Sequence, residues 1–180
     1  LAARARNLVC GDPHQEQVHL GPLINDTQAR RVEDLINRSL EMGARLVAGG
    51  KRNGSFFEAT VIADVTPDMP VFAEEVFGPV APVMVFNSDA DACSLVNQSP
   101  YGLAAAIHSG STERALKIAG QLKVGMIHIN DQTVNNEFQV PFGGMGSSGN
   151  SGRFGGPANI EEFTTSQWVS VMAEGIQYPF

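Results

Sequence analysis

Two neighbouring carboxylates, Glu74 and Glu75, precede an aromatic residue and a Gly-Pro turn in EEVFGPV, residues 74–80. A carboxylate facing a vicinal diol accepts one hydrogen bond from each hydroxyl, and each such charge-assisted bond contributes about 1.5–3 kcal/mol. On spacing alone the plainer reading, two solvated loop acids, is the better one. A second signature is the literal GxGxxG at Gly144, Gly146 and Gly149. A dinucleotide fingerprint needs a strand before it, a helix after it and an acid about 20 positions on. Here Pro141 precedes, glycine and proline follow, and Glu161 and Glu162 come too early. The expectation is a loop whose glycines permit close packing. No GxxxxGK[ST] occurs.

The histidines, His14, His19, His108 and His128, form neither HExxH nor a close set with zinc spacing, so no metal site is expected. His128 lies in an apolar stretch and is expected to be half-buried and hydrogen-bonded. Cys10 ends a short strand before the turn GDP, and Cys93 sits among Ala92, Leu95 and Val96 on a helical stretch. A nucleophilic cysteine needs a helix N-terminus or a cation to hold its thiolate, and neither context offers one. Both are expected to be structural.

The elements that must position these groups alternate between helical and extended patterns. Val32, Leu35, Ile36 and Leu40 recur at helical spacing over Gln28–Met42, with Asn25, Asp26 or Thr27 as N-cap and Gly43 just past the end. Ser88 with Asp91 reads as a capping box opening a helix to about Asn97. A third helix covers Thr112–Lys123, ended by Gly125. Strands are expected at 44–48, 56–65, 80–86, 101–108 and 126–130, which implies α/β with a largely parallel sheet. Residues 140–157 must be a loop. Beyond it, FTTSQWVSVM at 163–172 reads as a detached strand, which would add to another sheet, in a partner chain for instance.

Composition bounds the function further. The 180 residues carry 12 Lys+Arg against 19 Asp+Glu, a net charge of −7, which disfavours nucleic acid and anionic membranes as partners. No apolar run approaches the roughly 18 residues a membrane span needs. Two cysteines and no secretory apolar segment point to a reducing, cytoplasmic setting. The chain opens on Leu1 in LAARARNLVCGDP, as a piece of a longer polypeptide would.

Six collinear blocks resemble the aldehyde dehydrogenase family: GDP at 11–13, GPLI at 21–24, EEVFGPV at 74–80, NQSPYGLAAAI at 97–107, GMIHIN at 125–130 and PFGGMGSSG at 141–149. INDQTVNNE, GRFGGPANIEEFT and QW are most similar to the benzaldehyde and vanillin dehydrogenase branch. The resemblance implies a parallel-sheet catalytic α/β domain, here its C-terminal part at 1–157, and an oligomerisation strand and tail at 158–180. It implies NAD or NADP as cofactor, an aldehyde as substrate and a homodimer or homotetramer as the assembly.

The family's chemistry is thiolate addition to the aldehyde, hydride transfer to nicotinamide, and hydrolysis of the thioester by glutamate-activated water. The resemblance places Glu75 on the nicotinamide-ribose hydroxyls and Phe77 beside the nicotinamide. It places Phe142 in the aldehyde tunnel, with Asn136 and Phe138 as further wall residues. The nucleophilic cysteine, general-base glutamate and oxyanion asparagine would all lie upstream of Leu1, so the catalytic residues are expected outside this chain and the chain alone is expected to be inactive. Ala59 stands where the family has proline, which affects only a turn. Two alternatives remain: a catalytically silent truncated module used for oligomer assembly, and a different α/β enzyme with Glu75 as general base.

Overall fold

The computed structural model describes residues 1–15, 17–177 and 179. A short helix, α1 (Ala2–Arg6), leads into α2 (Asp26–Glu41), β1 (Arg45–Ala48), the hairpin β2 (Arg52–Asn53) and β3 (Phe56–Phe57), and β4 (Thr60–Ala63). Helix α3 (Pro70–Ala73) and β5 (Val80–Pro82) complete this half. Asn25 caps α2 by accepting from the Gln28 N–H at 2.8 Å, and Gly43 takes the left-handed φ of +107° that ends it. The stripe Ala29, Val32, Leu35 and Ile36 is buried with Phe57, Ile62, Val65, Met69 and Val71, and together these form the core.

The second half runs α4 (Asp89–Gln98), β6 (Tyr101–Gly102), β7 (Ala104–Ile107), α5 (Thr112–Ala119), β8 (Met126–Ile129), β9 (Met145–Gly146) and α6 (Ala158–Phe163). Ser88 accepts from the Asp91 N–H and Ser111 from the Arg114 N–H, which caps α4 and α5. Arg114 joins the two helices through Asp89, its Nε donating at 2.8 Å. Asn97 braces the α5–β8 connection by donating to Gln121 O and accepting from Lys123 N–H, both at 2.8 Å.

The α/β alternation holds, but no single parallel sheet forms. Strands β4–β5 and β7–β8 pair in parallel, whereas β1–β4, β2–β3 and β6–β9 pair antiparallel, in four small sheets among the described residues. The stretch expected at 80–86 ends its ladder at Pro82, an edge position where a missing N–H is tolerated. The expected strand 101–108 divides because Gly102 pairs with Met145 whereas Ala104 pairs with Met126. Helix α5 stops at Ala119 with Gly120 as its cap, so Gly125 opens β8 instead of closing the helix.

The stretch 163–172, expected to pair with another sheet such as a partner chain's, has no strand partner among the described residues. Phe163 closes α6, and residues 164–172 carry no ladder and are exposed. A strand exists only through its partner's hydrogen bonds, and among the described residues none faces the segment. Among the described residues, no helix is long and apolar enough to cross a membrane.

Candidate cofactor and substrate site

Helix α2 builds the first part of the site from its polar face. Gln28 Nε2 donates to the carbonyls of Val76 at 3.1 Å and Phe77 at 3.2 Å. Arg31 donates to Glu75 O at 2.9 Å and Val76 O at 3.2 Å, and its Nη2 lies 3.4 Å from the Glu74 carboxylate. Arg38 approaches the other Glu74 oxygen at 3.7 Å. Glu74 is therefore an anchor and not the free loop acid that its spacing suggests.

This clamp fixes the backbone of 74–77 and leaves two side chains outward. Glu75 is exposed, and no hydrogen bond or ion pair from the described residues engages its carboxylate. Phe77 is 74% exposed and sits at φ +56°, a left-handed conformation costing a bulky residue about 1–3 kcal/mol. The Gln28 bond to its carbonyl helps hold that conformation. An unpaired carboxylate beside an outward aromatic ring fits a group that carries hydroxyls and a flat heterocycle, as a nicotinamide nucleotide does. Such a group, when bound, would accept a hydride.

The second part lies along the glycine loop. Asn136 and Phe142 line a cleft of about 390 Å³ together with Met126, His128 and Val140. Phe138, 90% exposed, lies on a neighbouring cleft of about 470 Å³ that Asn136 and Phe142 share. The loop packs as a close-contact glycine segment: a Cβ on Gly125 would stand 1.7 Å from Gly143 O. His128 corrects its expectation in part. It is half-buried, but its Nε2 is buried without a hydrogen-bond partner among the described residues.

Asp131 lies nearby, and its carboxyl is held below the ordinary aspartate value, chiefly by the Asn135 amide and then by the Gln132 N–H. Cys93 is buried on α4, away from solvent, and Cys10 forms an isolated bridge with Leu20. Among the described residues, no cation or histidine makes a hydrogen bond to either cysteine. No group of three or more metal-ligating side chains occurs among the described residues.

Comparison with known protein families matches residues 1–169 to the one described as the aldehyde dehydrogenase family. The chain belongs to that family. It is 56% identical over its whole length to a benzaldehyde dehydrogenase [NAD(+)] of Pseudomonas putida, covering 37% of that enzyme. It is 44% identical to a vanillin dehydrogenase of an Amycolatopsis species, again covering 100% of this chain and 37% of the relative. The fold matches a salicylaldehyde dehydrogenase of Pseudomonas putida solved with salicylaldehyde, with TM-score 0.91 and 34% identity, over 99% of this chain and 37% of the other. The chain thus spans little more than a third of the length of these aldehyde dehydrogenases.

Sequence reasoning missed Gln28 and Arg31, because their partners lie 48 and 43 or more positions away along the chain. The available signal was the polar stripe of α2 opposite its buried residues. Arg153 and Phe154 were likewise given no role of their own, inside a segment read for its glycines and its resemblance.

Proposed function

We propose that this chain supplies the C-terminal, nucleotide- and aldehyde-facing portion of an NAD(P)-dependent aldehyde dehydrogenase, which oxidises an aromatic, benzaldehyde-like aldehyde to its carboxylic acid. The observation that carries this reading is Glu75, an unpaired carboxylate on a backbone that α2 holds rigid. Benzaldehyde, vanillin and salicylaldehyde dehydrogenases as relatives argue for a flat aromatic substrate, and the aromatic residues Phe138 and Phe142 suit one.

In this reading Glu75 accepts from the two ribose hydroxyls, and Phe77 bounds the nicotinamide side of the nucleotide. Arg31 and Gln28 position both by donating hydrogen bonds to the carbonyls of the loop. Phe142, with Asn136 and Phe138 beyond it, forms the wall along which the aldehyde enters. The attacking thiolate and the base that activates water come from the rest of the longer protein, because Cys93 is sealed in α4 and Cys10 stands in a strand-end turn. The cofactor is NAD or NADP.

The test is Glu75→Gln in the longer protein, assayed with benzaldehyde and each nucleotide. A neutral amide is a poorer acceptor, so the nucleotide KM is expected to rise about tenfold, equivalent to about 1.4 kcal/mol. An unchanged KM for both nucleotides removes Glu75 from the site. The exposed Phe163, Trp168 and Val171 favour a second reading, a silent assembly module. Absence of aldehyde turnover by the longer protein would select it.

A further inference from the structure

The two ends of the glycine loop meet and bring two aromatic rings together. The Phe142 N–H donates to Phe154 O at 2.7 Å and the Phe154 N–H donates to Phe142 O at 3.1 Å. Their ring centroids lie 5.2 Å apart with planes tilted by 51°, between a stacked and an edge-to-face arrangement and within the contact range of an aromatic pair. Arg153 ties the loop between these ends. Its Nη1 donates to Gly144 O at 3.2 Å, Ser151 O at 3.0 Å and Gly152 O at 2.9 Å. Gly143 makes room for that arm, since a Cβ there would stand 2.9 Å from Arg153 Cδ.

Phe154 is 52% exposed, so the ring pair is not a core contact; its open side forms part of the 470 Å³ cleft that Phe138 and Phe142 also line. We propose that Phe154 is a specificity-determining residue: it backs the ring of Phe142 and fixes its tilt, so that the wall favours a flat aromatic aldehyde over a flexible aliphatic one. Arg153 is the positioning residue that holds the two ends in register. A planar substrate meets a fixed aromatic wall without freezing rotors, whereas an alkyl chain loses rotamer freedom against it. This inference rests on the reading of the chain as part of an aldehyde dehydrogenase.

The experiment compares benzaldehyde with hexanal in the longer protein carrying Phe154→Leu, Phe154→Tyr or Arg153→Lys. Phe154→Leu is expected to lower kcat/KM for benzaldehyde about three- to tenfold, the range of one aromatic pair. Hexanal turnover and nucleotide affinity stay within about twofold, and Phe154→Tyr restores the benzaldehyde preference. Arg153→Lys, whose side chain ends one bond short of the Nη1 that makes all three contacts, shifts the ratio in the same direction and gives the readout should Phe154→Leu fail to accumulate. A benzaldehyde-to-hexanal ratio unmoved in these variants overturns the proposal while leaving aldehyde oxidation intact. Wild-type protein that turns over neither aldehyde overturns the functional reading itself.

Discussion

Four aspartates, Asp12, Asp68, Asp89 and Asp131, are held below the ordinary aspartate value. The leading cause differs at each: the His14 N–H, the Thr66 hydroxyl, the Arg114 guanidinium and the Asn135 amide. A depressed folded-state value means that the unfolded chain takes up protons first. The associated stability is therefore complete above the unfolded value, about 3.9, and is lost as pH falls through it toward the folded values. Thermal melting of the protein is accordingly expected to stay level through neutral pH and to drop below about pH 4, with Asp89→Asn blunting the drop. All four groups are near solvent, so each contribution is small. At this scale the sequence singles out residues that share one contiguous block. Glu75 and Phe77 stand out in EEVFGPV, and the structure leaves both side chains outward. Glu74 was misread because its partners, Arg31 and Arg38, arrive from another element.

Helix α3 is only four residues long and could not persist alone; it hangs on α2 through Ser39. The Ser39 hydroxyl donates to Leu35 O at 2.8 Å and accepts from the Val71 N–H at 3.2 Å, fully buried. It thereby satisfies a donor that the start of any helix leaves without an intrahelical partner. Ser39→Ala is expected to strand that N–H and cost about 1–3 kcal/mol in denaturant unfolding. A loss below about 0.5 kcal/mol would mean that Val71 finds another acceptor. Helix starts were legible because capping is local chemistry: Asn25 and Ser88 each bond a backbone N–H three residues ahead. Strand extents were not legible. Whether Leu103 continues a ladder depends on Met126 and Met145, which the fold delivers from elsewhere, and periodicity within the segment carries no trace of them.

Across the whole molecule, burial is uneven, and this bears on assembly. The first half owns the core around Leu35, Phe57 and Ile62, whereas in the second half Cys93 and Ala115 are the only buried hydrophobic side chains among the described residues. Strands β7 and β8 stay largely half-buried, and Phe163, Trp168, Val169, Val171 and Met172 are all exposed. Trp168 is 92% exposed, which at about 25 cal/mol per Å² of apolar surface is a sizeable free energy left unused. The β-branched and aromatic run 163–172 has the composition of a strand and lacks only a partner, and a second copy of the same protein can offer one by edge pairing. Backbone pairing through this segment is expected to build the dimer or tetramer. Deleting Thr164 onward from the longer protein should therefore lower its mass in light scattering by a whole-number factor, with the aldehyde site retained. An unchanged mass would show that assembly runs through another face. In that case the half-buried strands β7 and β8, whose outer edges are also unpaired among the described residues, become the next surface to cover.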